Sequence, residues 1–289
     1  MKGGKTLAIL KFDIPSETMG RQVTFEAIIP AEALADGEEI AVLYLLHGVQ
    51  GGYINWISLT NAMRLLGQRN LQADVGPGKA RKRLALIMPS GGNGFYHPIP
   101  SREERQENMG HQHDYEAFLA EELPAWTRKM LPVSKEREDM GIAGLSMGGY
   151  GALYLGIKYG ETFGFAGGLS SALLTQRSLE DNFVEGQFFR APEFLDLVFG
   201  GFDDHRAEND VFRLSLKARA REKREDLPDG TLLPKLYLAC GEQDPLLELS
   251  KELHTLWDKA HIPHTFETHP GAHEWAFWEW GLERMLRIF

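Results

Sequence analysis

Cysteine is the scarcest informative residue in this chain: one, Cys240, in 289 positions. A lone cysteine excludes an internal disulfide and a cysteine-based metal cluster. Its place at the end of an apolar run reads as a small buried hydrophobe rather than a reactive thiol. Long apolar runs are also missing. No stretch approaches the roughly 18 residues that a membrane span needs, and the start, MKGGKTLAILKFDIP, has too short an apolar core for a signal peptide. A cytoplasmic location with no membrane partner is the default expectation. Positive charge is in deficit, with 31 Lys and Arg against 41 Asp and Glu, so the average field repels nucleic acid. The one basic cluster, Lys79 to Arg83, follows Gly76, Pro77 and Gly78 and reads as a solvated loop. Arg221 to Asp226 mixes signs and reads the same way.

What is present suits a soluble globular protein: 43% of residues are hydrophobic, enough to bury a sizeable core. Residues 5–11 and 22–30 read as two edge strands joined by a polar turn that includes Pro15, Ser16 and Gly20. Continuous apolar runs at 39–46, 84–88, 140–145, 163–169 and 235–239 have the look of strands buried on both faces, with a short strand near 264–268. Helical spacing appears at 56–66, with Asn55 as a plausible cap, and at 114–130, where Pro124 should kink or interrupt it. Further helices are expected near 246–260 and from Glu274 onward. Glycine-rich turns at strand ends complete the rhythm of a doubly wound, mostly parallel α/β sheet in a single domain spanning 1–289. From Leu174 to about Asp229 the rhythm breaks, which reads as a cap-like insertion lying over the site.

The chain is organised around GIAGLSMGGYGALYLGIKYG, residues 141–160. Gly144, Ser146 and Gly148 form G-x-S-x-G between an apolar strand and a helical pattern. In that context the serine sits on a sharp, strained turn, and its flanking positions must be nearly free of side chains. Gly148, Ala152 and Gly156 then make a small-residue stripe that lets the helix lie close to the sheet. A serine hydroxyl needs a base, and the base needs an orienting acid. The α/β-hydrolase order places the acid after a later strand and the histidine after the last one, which selects Asp244 and His273. Glu242 is the competing acid and His269 the competing base. The Met147 N–H, at the helix N-terminus, and the Val49 N–H, after the third strand, are the expected oxyanion donors, with Gln50 the rival to Val49. Gly48 lets the backbone approach, and Trp56, Phe95 and Tyr96 are candidates to shape the substrate pocket. His111 and His113 make an H-x-H pair without a third ligand at a sensible spacing, so neither a metal nor a cofactor is expected.

Five segments taken together extend this reading. LYLLHG with the downstream Trp56, YEAFLAEELP at 115–124, GLSMGGYGAL at 144–153, GEQD at 241–244 and GAHEW at 271–275 resemble the esterase D family. That group comprises S-formylglutathione hydrolases, tributyrin-type acetyl esterases and feruloyl esterases. SETMGRQVTFEAIIP at 16–30 is similar to the family's N-terminal segment. The resemblance implies an α/β-hydrolase fold, the nucleophile at Ser146, the base at His273, the acid at Asp244 and the Met147 and Val49 amides as oxyanion donors. The continuation VQGGYINW after His47 and Gly48 looks more like the acetyl-esterase branch than the S-formylglutathione branch. The expected partner is a small-molecule ester, and a homo-oligomer is compatible with the sequence. An acyltransferase using the same three residues and a non-catalytic binding module are the competing readings.

Overall fold

A computed structural model describes residues 6–73, 81–99, 113–173, 209–228 and 231–289. Its centre is an eight-stranded sheet made of β1 (Leu7–Ser16), β2 (Arg21–Pro30), β3 (Ala41–Leu46), β4 (Leu84–Pro89), β5 (Met140–Leu145), β6 (Phe165–Leu169), β7 (Lys235–Gly241) and β8 (His264–His269). The spatial order is β1-β2-β4-β3-β5-β6-β7-β8. From β4 to β8 all neighbours run parallel, while β2 is antiparallel to both β1 and β4.

The continuous apolar runs become buried strands because both faces are covered. Along β3, Val42, Tyr44 and Leu46 enter one core while Ala41, Leu43 and Leu45 enter the other. β7 divides the same way, with Leu236 and Leu238 on one side and Tyr237 and Ala239 on the opposite side. This two-residue period is the pleat of the sheet feeding two layers. One layer holds α4 (Leu123–Met130), α5 (Met147–Lys158), α6 (Val211–Arg224) and α7 (Leu247–Lys259). The other holds α2 (Asn55–Leu59), α3 (Ala62–Gln72) and α8 (Trp275–Ile288), after the short α1 (Ala31–Asp36) that follows β2.

Four expectations need correction. β2 is not an edge strand: it lies between β1 and β4, and its second half, Ala27 to Pro30, is buried throughout. The helix expected at 56–66 is two helices broken at Thr60 and Asn61, and the Asn55 side chain accepts from the Gly52 N–H at 2.6 Å instead of capping. Pro124 does interrupt its helix as expected, without ending it: Phe118–Glu122 forms a π-helical turn, and α4 resumes the α-helix at Leu123. The basic cluster is not a solvated loop over its described part. Lys82 pairs with Glu39 and Asp139, Arg83 is buried against Glu38 and Glu32, and Arg81 donates to the carbonyls of Arg287 and Ile288. The segment Arg221 to Asp226 is not a solvated loop either: as far as Arg224 it is the last turn of α6, and Glu222 is buried.

Residues 174–208, which carry most of the expected cap, lie outside the described residues. The part that is described, α6, is a helix of the layer that holds α5 and α7: the Tyr150 hydroxyl donates to Asn209 O just before it, and Trp257 Nε1 donates to Ser215 Oγ.

Candidate active site

The parallel register sets the C-terminal ends of β3, β5, β6 and β7 side by side, with Leu46 opposite Gly144, Leu145 opposite Leu169, and Leu169 opposite Ala239. The chain leaves β5 through Ser146, whose φ of 54° is in the left-handed region that costs a non-glycine residue about 1–3 kcal/mol. Surrounding bonds fix it there. Ser146 N–H donates to Leu169 O at 2.8 Å, and Ser146 O accepts from the N–H groups of Tyr150 at 3.1 Å and Ala172 at 3.0 Å. The flanking glycines are required sterically. A Cβ at Gly144 would meet Gly148 O at 2.3 Å, and one at Gly148 would meet His47 O at 2.5 Å.

His273 reaches this elbow from the loop after β8. Its Nε2 lies 3.0 Å from Ser146 Oγ, and its Nδ1 lies 2.9 Å from Asp244 Oδ2. Asp244, in the turn after β7, has a fully buried carboxylate. Its Oδ1 accepts from the Leu246 N–H at 2.8 Å. Burial alone would push the Asp244 carboxyl up, but hydrogen bonds from His273, Ser170 and the Leu246 amide outweigh it and hold the group below the usual aspartate value. The structure therefore brings together Ser146, His273 and Asp244. It does not bring in the two rivals: Glu242 is exposed, and the His269 ring stacks on Trp280 at 4.3 Å with its Nδ1 against Pro270 O.

The loop after β3 forms the facing wall. A Cβ at Gly48 would stand 3.3 Å from Ser146 Cβ, so the backbone passes directly beside the serine. Gln50 adopts φ 60°, and its N–H is taken by Asn93 Oδ1 at 2.7 Å. No partner for the Val49 N–H appears among the described residues. His47 acts as the wedge under this loop. Its Nε2 accepts from the Gly91 N–H at 2.8 Å, so the proton is on Nδ1, which faces Gly48 O at 2.7 Å. Burial holds its pKa below the usual histidine value.

Trp56, Phe95 and Tyr96, expected along the pocket, are fully buried, Trp56 in the layer of α2, α3 and α8 and the other two in the opposite layer. Tyr96 donates its hydroxyl to His47 O at 2.7 Å, and its ring occupies the space that side chains at Gly91 and Gly151 would need. Trp56 Nε1 donates to Leu46 O at 3.2 Å. Both brace the end of β3. Phe95 packs edge-on against Tyr150, with ring centroids 5.7 Å apart.

Sequence reasoning assigned no role to the residues that hold the acid and base in place. Ser170, at φ 45°, hydrogen-bonds Asp244 and accepts from Trp278 Nε1 at 3.2 Å. The Trp278 ring meets His273 edge-on at 4.9 Å. The signal available was the Ser170-Ser171 pair at the end of a buried strand, next to the elbow in the parallel order. Cys240 is buried near Asp244, and burial followed by that charge pushes its thiol up to about 12, which makes it unreactive.

A strained serine elbow with a histidine and a buried carboxylate at parallel strand ends defines an α/β-hydrolase. Comparison with known proteins narrows the class. Residues 16–289 match the family model described as putative esterase, and the chain belongs to this esterase family, within its esterase D-type group. It is a carboxylic-ester hydrolase. An acetyl esterase of Caldicellulosiruptor saccharolyticus is 30% identical over 280 residues, 94% of each chain. The crystal structure of an S-formylglutathione hydrolase from Staphylococcus aureus superposes with a TM-score of 0.75 at 24% identity, covering 98% of both chains. A ferulic acid esterase superposes with a TM-score of 0.74 at 18% identity, covering 98% of this chain and 97% of the other. No helix among the described residues is long and apolar enough to cross a membrane.

Proposed function

We propose that the chain is a serine carboxylesterase that hydrolyses short-chain, acetyl-type esters through an acyl-enzyme on Ser146. The observation that carries this reading is the unbroken line from Ser146 Oγ to His273 Nε2 at 3.0 Å and from His273 Nδ1 to Asp244 at 2.9 Å. Asp244, held ionised, keeps the imidazole proton on Nδ1 and leaves the Nε2 lone pair facing the serine hydroxyl. Ser146 Oγ attacks the ester carbonyl as His273 takes its proton. The negative charge that develops on the carbonyl oxygen is met by the N–H groups of Met147, at the N-terminus of α5, and Val49. Engagement of Gln50 by Asn93 supports Val49 over its neighbour. His273 then returns the proton to the leaving alcohol, and a water molecule, deprotonated by the same imidazole, releases the acid.

The extended likeness to an acetyl esterase supports a small acyl group, and Gly48 is the residue we assign to the wall against it. No cofactor is required for these steps. We infer a cytoplasmic enzyme acting on a small molecule, without nucleic-acid or membrane partners. The same residues would serve hydrolysis of a glutathione thioester or acyl transfer to an alcohol. Initial rates on p-nitrophenyl esters of increasing acyl length, a glutathione thioester, and an acetyl ester with excess alcohol discriminate among these. The proposal expects the highest kcat/KM on the acetyl ester, water as acceptor, and loss of at least about a thousandfold in Ser146→Ala. A tenfold preference for the thioester, or a transfer product in excess, would replace it with one of the alternatives. Equal rates in Ser146→Ala would end it.

A further inference from the structure

A second cluster lies at the opposite end of the sheet. His264 opens β8, and because the strands are parallel its end of the sheet is remote from Ser146. His254 and Asp258 sit four residues apart on α7 and so share a face of the helix. His264 Nδ1 lies 2.8 Å from Ile262 O, which fixes the proton on that nitrogen and leaves a lone pair on Nε2. Facing that lone pair at 2.8 Å is Nδ1 of His254. Asp258 places its carboxylate oxygens 3.5 Å from His254 Nε2 and 3.9 Å from His264 Nε2. One ligand atom from each residue falls within 4.8 Å of the others.

We propose that His254 Nδ1, His264 Nε2 and the Asp258 carboxylate bind a divalent transition metal of the zinc class, with water in the remaining position. Two ligands about 2.0–2.1 Å from a tetrahedral ion stand roughly 3.3 Å apart, so the imidazoles open by about 0.5 Å and the carboxylate closes by about 0.6 Å on His264 Nε2. His264 is prepared for this role. Its side chain is 3% exposed, its ring packs on Trp257 at 5.1 Å, and a backbone carbonyl holds its distal N–H, the usual support for a ligating histidine. His254 is steadied by a stack on Phe266 at 4.7 Å, while Asp258, 63% exposed, leaves room for solvent. Two imidazoles and one carboxylate select zinc, nickel or copper over magnesium and calcium. The proton ledger balances without any co-reactant. The His254 proton leaves Nδ1 and is taken up at Nε2, which faces solvent and Asp258, so His254 stays neutral. The ion would tie α7, which begins just beyond Asp244, to β8, which leads toward His273, and so would act on stability rather than chemistry.

The test uses the full, tag-free chain stripped with a chelator. Zinc is titrated by calorimetry, cobalt by its visible spectrum, and the melting temperature is read with and without zinc. The expected results are one zinc per chain, a cobalt spectrum of tetrahedral type, and a rise in Tm of about 5 °C at hundredfold excess over Kd. His254→Ala, at a partly exposed position, should weaken binding at least tenfold and abolish the Tm rise, and Asp258→Asn should weaken it several-fold. Absence of saturable binding would overturn the proposal. So would binding that survives His254→Ala but is lost in the double variant His111→Ala/His113→Ala.

Discussion

Replacing Asp244 by asparagine tests how the buried carboxylate controls the proton on His273. The side chain is fully enclosed, and the Leu246 N–H donates to Oδ1 at 2.8 Å. An asparagine must therefore keep its carbonyl toward Leu246 and turn its NH2 toward His273 Nδ1. The opposite orientation would set two donors against each other. With an N–H donor at Nδ1, the imidazole carries its own proton on Nε2, and the atom 3.0 Å from Ser146 Oγ changes from acceptor to donor. The serine then has no base. Loss of that proton transfer is expected to cost a thousandfold to ten-thousandfold in kcat/KM, about 4–5.5 kcal/mol, with little change in KM. The assay is steady-state hydrolysis of p-nitrophenyl acetate, with melting curves to confirm that the variant is folded. Glu242→Gln, at the exposed rival position, should stay within about threefold of wild type, since its side chain takes no part in proton transfer. A folded Asp244→Asn enzyme retaining more than a tenth of the activity would refute this reasoning.

Ser170→Ala removes one donor from the Asp244 carboxylate and leaves Trp278 Nε1 without its acceptor, so a loss of about 1.5–3 kcal/mol in stability is expected from chemical denaturation. No change in the denaturation midpoint would contradict that role. Tyr96→Phe deletes the bond to His47 O and should lower kcat severalfold while leaving KM nearly constant, because the loop beside the oxyanion loses its brace; a change confined to KM would instead make Tyr96 a substrate contact. Gly148→Ala pushes a methyl group against His47 O and should lower Tm by several degrees together with activity. An unchanged Tm would mean that the loop yields freely. Glu116 supplies a pH test. Burial alone would push its carboxyl up, but Lys158, Tyr154 and Tyr159 outweigh burial and hold it below the ordinary glutamate value. A depressed carboxyl stabilises the fold above its unfolded pKa, and that contribution is lost as pH falls through the folded value. The Tm advantage of wild type over Glu116→Gln should therefore shrink on acidification, and a gap independent of pH would count against the charge network.

The parts of this fold that a linear reading reaches are those with local causes. Runs such as LYLL and LALIM are apolar at every position because they are buried on both faces, and Gly144-Leu145-Ser146-Met147-Gly148 carries the steric demands of its own turn. Asp244 and His273 could be selected because chain order maps onto strand order in a parallel sheet. What escaped was nonlocal. Lys82 and Arg83 look solvated in sequence because their partners Glu39, Asp139, Glu38 and Glu32 come from distant segments. Tyr96 and Trp56 look like pocket aromatics until the glycines and carbonyl that receive them are in place. The facing of His254 and His264 has no local sequence signature, because it depends on how α7 packs beside β8.

The central claim is a covalent acyl group on Ser146. Rapid acid quench of the enzyme with p-nitrophenyl acetate, followed by peptide mapping with mass spectrometry, tests it directly. An acetyl group on the peptide at Ser146, appearing with a burst of p-nitrophenol and absent from Ser146→Ala, is the predicted result. Turnover of the ester with no adduct, or with the adduct on another residue, would contradict it.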